Sequence, residues 1–228
     1  MEGRGQDEMM QDLNAVPTCI SAMIDTGSVE SHRYFLARRT VLEMLRDRGH
    51  AVPDDEIQRT LANFRSWWED KPEFDNLTIS YPLISDSSKK TIVMFCGPDP
   101  IKKGTIREIY TRLGKEKFTR LILVVQSKIT SGARDALKDL FSNKFETFHI
   151  SELLVNITKH VLKPHHQVLT PEEKGELLLQ YKVEDSQLPR MLEKDAVARY
   201  YGLQKGTVVK VTYEGELTGS HMTYRCVV

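Results

Sequence analysis

Apolar residues follow no period over residues 1–28, where methionine, acidic and small polar residues mix, so this stretch is read as a mobile tail carrying a short helix around Met9 to Leu13. From Val29 the pattern becomes helical. The run ESHRYFLARRTVLEMLRDRG sets Phe35, Leu36, Leu42 and Leu45 near one face, with Gly49 as the stop. PDDEIQRTLANFRSWWED predicts one further helix, with Asp54 as its cap and Ile57, Leu61, Phe64 and Trp68 at three- and four-residue steps. The period then falls toward two: NLTISYPLI and KTIVMFC flank SDSSKK and predict a hairpin or a nearby strand pair. KGTIREIYTRLGKEK reads as a helix, TRLILVVQ as a strand buried on both faces, SGARDALKDLFSN as a helix and KFETFHI as a strand. Strands and helices alternating in this way imply an α/β layer.

A second unit follows. LTPEEKGELLLQYKV has Thr170 at the cap, Pro171 at the first helical position and Glu173 at the capping-box position. DAVARYYG predicts a short helix capped by Asp195 and stopped by Gly202, and GTVVKVTY and HMTYRCVV alternate as two antiparallel strands. The expected division is a tail at 1–28, an α/β domain at 29–150 and a smaller α/β domain at 151–228.

Composition narrows the class. Of 228 residues, 40% are hydrophobic, enough for ordinary buried cores. The longest apolar run, Leu121 to Val125, is far short of the roughly 20 residues that span a bilayer, so no membrane partner is expected. The start of the chain lacks a basic region followed by an apolar run, which argues against secretion. Cys19, Cys96 and Cys226 form no CxxC pair, which points to a reducing compartment. The net charge is zero but unevenly spread. Residues 1–30 hold one basic and six acidic side chains, a balance of −5, and residues 100–144 hold eleven basic and four acidic, a balance of +7. A basic middle suits the neighbourhood of a polyanion, although solvated surface lysines are the commoner cause.

Several motifs fail as catalytic sites. CGPDPIKKGT lies between a strand and a helix, but it reads Lys102-Lys103-Gly104-Thr105 where a phosphate loop needs glycine immediately before Lys and Ser or Thr, and Pro98 and Pro100 remove amide donors. His160, His165 and His166 lack cysteine or carboxylate company at metal-site spacing, so no metal or cofactor is expected. Asp75 stands before a strand pair, where metal-dependent nucleases of the α/β kind carry an acid, but the next strand, TIVMFC, offers no carboxylate for the second ligand. Phe64, Trp67 and Trp68 suit an aromatic platform for bases or, more commonly, a helix face packed on a sheet.

The stretch DAVARYYGLQKGTVVKV carries a more specific signal. Leu188-Pro189-Arg190, Ala198-Arg199-Tyr200, Gly202, the strand from Gly206 to Lys210 and Thr223-Tyr224-Arg225, with Asn156-Ile157-Thr158, His160, Pro164 and His166, closely resemble the C-terminal domain of the fifth subunit of eukaryotic nuclear RNA polymerases and its small archaeal counterpart. The resemblance extends through LEMLRDRGHAV, FRSWWEDKP and LILVVQ and covers the chain from about Ser31 onward. It implies a non-catalytic subunit. The N-terminal domain is expected to be a restriction-endonuclease-like jaw without an active site, beside the downstream DNA duplex. The C-terminal domain is expected to be a small α/β assembly domain that docks on the largest subunit and its neighbours. The docking candidates are then His166, Arg190, Arg199, Tyr200, Lys210, Tyr224 and Arg225, and the DNA-proximal candidates are Thr130, Ser131 and Gly132.

Three departures stand out. Where the family commonly has Thr-Pro-Ser-Ala at the jaw tip, this chain has Thr130-Ser131-Gly132-Ala133; Asp-Pro-Val reads Asp195-Ala196-Val197; and the last turn reads TYEGELT. With the long N-terminal extension, they suggest the plant polymerase V paralogue, which acts in the nucleus in noncoding transcription for RNA-directed DNA methylation. The alternatives are the subunit shared by polymerases I, II and III or, from a different class, a cryptic metal-dependent nuclease.

Overall fold

The computed structural model describes residues 27–68, 74–114, 117–142, 144–215 and 219–228, which form two four-stranded sheets with their own helices. Residues 1–26, and with them the short helix expected around Met9 to Leu13, lie outside the described residues.

The first sheet has the order β1 (Ile79–Pro82), β2 (Lys90–Phe95), β3 (Arg120–Val125), β4 (Phe145–His149). β1 is antiparallel to β2, and β2, β3 and β4 are parallel. The unbroken apolar run of β3 needs cover on both faces. Ile122 and Val124 pack toward α1 (Val29–Asp47), while Leu121, Leu123 and Val125 pack toward α4 (Lys103–Leu113) and α5 (Ser131–Phe141). Each such fully buried aliphatic side chain contributes about 1.5–3 kcal/mol. Helix α1 buries Tyr34, Ala37, Val41 and Met44 besides three of the expected positions, and Gly49, at φ +86°, lets the chain turn off its end.

The helix expected from Asp54 to Trp68 is two helices, α2 (Asp54–Gln58) and α3 (Leu61–Trp67). Thr60 breaks it: its side chain accepts the Asn63 amide and caps α3, which holds Arg59 and Thr60 extended. Asp54 is not the cap of α2. Pro53 takes that position and makes no side-chain cap bond. Phe64 is buried and its ring stacks on Trp68, whose ring lies 5.0 Å from that of Tyr34, so these two rings serve the core; Trp67 stays 40% exposed.

The second sheet has the order β5 (His165–Val168), β7 (Val208–Gly215), β8 (Gly219–Val227), β6 (Arg190–Met191). β7 and β8 form the expected antiparallel pair. Val209, Val211 and Val227 pack on Ala198 of α7 (Ala196–Tyr201), and Val208 and Cys226 pack on Leu177 of α6 (Pro171–Tyr181). Thr170 and Glu173 close their capping box, and Gly202 ends α7 at φ +63°. No helix among the described residues is long and apolar enough to cross a membrane.

Candidate interaction surfaces

The parallel strands β2 and β3 end at the same level, and the segments that leave them pair at Ile101 and Ile129. The Thr130 amide and hydroxyl both donate to the Ile101 carbonyl, at 3.2 and 3.1 Å. That tie sets the first turns of α4 and α5 side by side at the carboxyl end of the sheet. Thr130, Ser131 and Gly132 are therefore not a loop tip: Thr130 caps α5 by accepting the Ala133 amide, and Ser131 and Gly132 open the helix. Amides at such positions have no intrahelical partner, and the helix dipole makes both ends electropositive. Lys102, Lys103 and Lys128 are exposed beside them.

The seven docking candidates do not form one patch. Lys210 and Tyr224 are cross-strand partners on the α6 side of the second sheet, and Arg190, paired with Cys226, shares that side. His166 and Arg225 alternate to the other side, beside Val211 and Val209. Burial lowers the basicity of the His166 ring, which bonds the Pro164 carbonyl at 2.7 Å.

Arg199 and Tyr200 face into the molecule, at the seam between the two sheets. Arg199 donates to the Thr147 carbonyl at 2.7 Å, pairs with Glu152 and lies 4.4 Å over the Phe148 ring, so it covers the outer edge of β4. Tyr200 is only 4% exposed and belongs to the same apolar cluster as α1. Its hydroxyl donates to Asp47 at 2.8 Å and accepts from Asn156 at 3.2 Å. Asn156 also donates to Glu43 at 2.7 Å, and Lys159 bonds the second Glu43 oxygen at 2.6 Å.

The centre of the seam escaped sequence reasoning. Arg48, at the end of α1, grips Glu146 of β4 with two nitrogens, at 3.1 and 2.8 Å. The same guanidinium donates to the carbonyls of Tyr200 and Arg199, at 2.8 and 2.6 Å, and so caps α7 from outside. Arg120 holds the other side of Glu146. Burial alone would push the Glu146 carboxyl up; the two guanidinium groups outweigh it and hold the group below the ordinary carboxylate range. A Cβ on Gly202 would stand 3.0 Å from the Arg48 guanidinium carbon, so the glycine makes room for this contact as well as for the positive φ. Arg48 and Glu146 are 98 positions apart, and no local pattern marks either one.

The model of the RNA polymerase Rpb5 C-terminal domain matches residues 155–227, and that of the Rpb5 N-terminal domain matches residues 28–113. The chain is 51% identical over 210 residues to the DNA-directed RNA polymerase V subunit 5A of Arabidopsis thaliana, covering 92% of this chain and 94% of that one. The chain belongs to the Rpb5 family of RNA polymerase subunits. It is 48% identical along the full length of both chains to the RNA polymerases IV and V subunit 5B of the same plant. It is 40% identical to the polymerases I, II and III subunit RPABC1 of Caenorhabditis elegans, over 88% of this chain and 98% of that one.

In this Rpb5-family chain the nuclease-like position is occupied by other contacts. Asp75 sits on the surface in an ion pair with Arg112, and its neighbour strand β2 presents only Lys90, Thr91 and apolar side chains. The histidines do not converge. The His160 ring accepts the Leu162 amide, His165 is exposed, and His166 is held by Pro164. Among the described residues no group of three His, Cys, Asp or Glu side chains is arranged to hold a metal ion.

Proposed function

We propose that this chain is a non-catalytic subunit of plant RNA polymerase V, working in the nucleus in noncoding transcription linked to RNA-directed DNA methylation. The observation that carries the reading is the gradient of similarity: 51% identity to a polymerase V subunit against 40% to a subunit of polymerases I, II and III, at comparable coverage. Affinity purification of the tagged chain from plant nuclei, with mass spectrometry of the largest subunits recovered, tests it. Peptides of the polymerase V largest subunit should exceed those of polymerases I, II and III. Equal recovery of all four would assign the chain to the shared pool instead.

Within that assembly, residues 151–228 are the docking domain for the largest subunit and residues 29–150 the jaw beside downstream duplex. The paired starts of α4 and α5, with Lys102, Lys103 and Lys128 exposed beside them, favour contact with phosphates. No helix there is patterned to read base edges, and transcription through many sequences needs contact that ignores them. Photocrosslinking from position 131 in the assembled polymerase is the test. Crosslinks to DNA on several templates support the jaw reading, and crosslinks confined to protein refute it.

A further inference from the structure

The segment that joins the two sheets carries three aliphatic side chains in water: Val155 is 67% exposed, Val161 95% and Leu162 84%. Val161 and Leu162 occupy the two central positions of a tight turn. It is closed by the Lys163 amide donating to the His160 carbonyl at 2.9 Å, and the His160 ring accepts the Leu162 amide at 3.2 Å. Central turn positions ordinarily hold glycine, proline, asparagine, aspartate or serine, for conformational reasons that valine and leucine do not share. Here the turn is fixed from both sides, by the Asn156-capped turn of 3-10 helix before it and by Pro164 after it. Both side chains are therefore presented in a preset geometry, which lowers the ordering cost of binding.

Val161 is a ridge between two hollows. One, of about 540 Å³, has Arg39, Thr40 and Val155 on its wall; the other, of about 620 Å³, has Lys163, Tyr201 and Tyr213. Each hollow keeps one cation without a carboxylate in ion-pair reach among the described residues, Arg39 in the first and, in the second, Lys163, whose ammonium donates to the Pro164 carbonyl at 3.3 Å; Glu43 is already satisfied by Lys159 and Asn156, and Glu214 lines the second hollow as well. An exposed apolar ridge flanked by two cations that lack a carboxylate partner fits a partner that offers an apolar pocket or segment with carboxylates on both sides.

We infer that Val161 and Leu162, flanked by Arg39 and Lys163, are the anchor by which this chain docks on an apolar, acid-flanked surface of a large polymerase subunit. The inference rests on the polymerase-subunit reading above. It moves the docking anchor away from Arg199 and Tyr200, which the seam occupies.

The test is affinity purification of the full-length tagged chain from plant cells, wild type beside variants, with large polymerase subunits quantified by mass spectrometry. Val161→Asp/Leu162→Asp should lower their recovery about tenfold or more, the scale of a central apolar anchor. Aspartate suits a turn, so the purified variant should melt with the wild type. Arg39→Glu/Lys163→Glu should also lower recovery, and Ile84→Asp, at a residue 74% exposed elsewhere, should not. Recovery of the double-aspartate variant at the wild-type level would overturn the inference and leave the polymerase reading standing. Failure of the wild-type chain to recover any large polymerase subunit would overturn both.

Discussion

Replacing Arg48 with methionine removes the guanidinium that ties the two units while keeping an unbranched apolar stem in its place. The Arg48 side chain is 7% exposed and its partner Glu146 19%. Removing one member of a buried ion pair costs about 3–5 kcal/mol, because the other charge is left without its partner. Glu146 keeps Arg120 and some water, which argues for the low end; the α7 carbonyls that lose their donor add to the loss. About 3 kcal/mol is therefore expected, or roughly 6–12 °C in melting temperature for a chain of this size. Urea unfolding separates the two sheets by probe. Trp67 and Trp68 report the first, and hydrogen exchange at β7 and β8 reports the second. The wild-type transitions should coincide and those of the variant should separate. A loss under about 1 kcal/mol, with coincident transitions, would refute the role given to Arg48. A double-mutant cycle with Glu146→Gln adds a second check: effects that sum to within about 0.5 kcal/mol would show that the pair is not coupled.

Gly202→Ala and Gly206→Ala both force a side chain into a left-handed conformation, at about 1–2 kcal/mol, but only the first puts a Cβ against Arg48, so calorimetry should find Gly202→Ala clearly the more damaging. Glu43, Glu56 and Glu146 are held below the ordinary value of 4.5; their stabilisation is full above that pH and drains as pH falls below it, and Glu146→Gln should flatten the acid limb of a stability-against-pH curve. His50 and His166, pushed below 6.5 by burial, make the unfolded chain the better proton acceptor, so the melting temperature should already decline between about pH 7 and pH 5. Ser131→Pro places proline at the first position of α5, after a residue at ψ 157°, and should leave the melting temperature unchanged or slightly raised; a clear fall would show that the Ser131 amide is needed within the fold.

The period of the apolar residues makes the sheets legible because burial acts along the chain: a β3 apolar on both faces requires helices on both. Turn and cap chemistry is legible for the same reason, as at Thr170, Glu173 and Gly202, where the residues that interact are close in sequence. Thr60 shows the limit. A helical stripe continues across it, yet a threonine three residues before a free amide caps more favourably than it propagates. The start of α5 is legible in the same local way: SGARDALKDLFSN reads as a helix from Ser131, and Thr130 caps it by accepting the Ala133 amide. The seam is illegible because its partners lie far apart: Arg48 meets Glu146 and Tyr200 across 98 and 152 positions, and one sequence contains no trace of that pairing.

The seam also explains why so short a segment as DAVARYYG carries an arginine and two tyrosines. Helix α7 has six residues, too few to be stable alone in water. It persists because each end is held by a specific contact: Asp195 caps its start at 2.8 Å, and Arg48, from the end of α1, caps its end. An apolar seam would hold the two units together but let them slide, since packing alone is tolerant of small shifts. A two-pronged guanidinium on a carboxylate accepts one angle. The angle between the two units is then set by contacts within this chain. Arg199 and Tyr200 answer to Thr147, Phe148 and Asp47 and are taken up within the chain, whereas Val161 and Leu162 stay exposed.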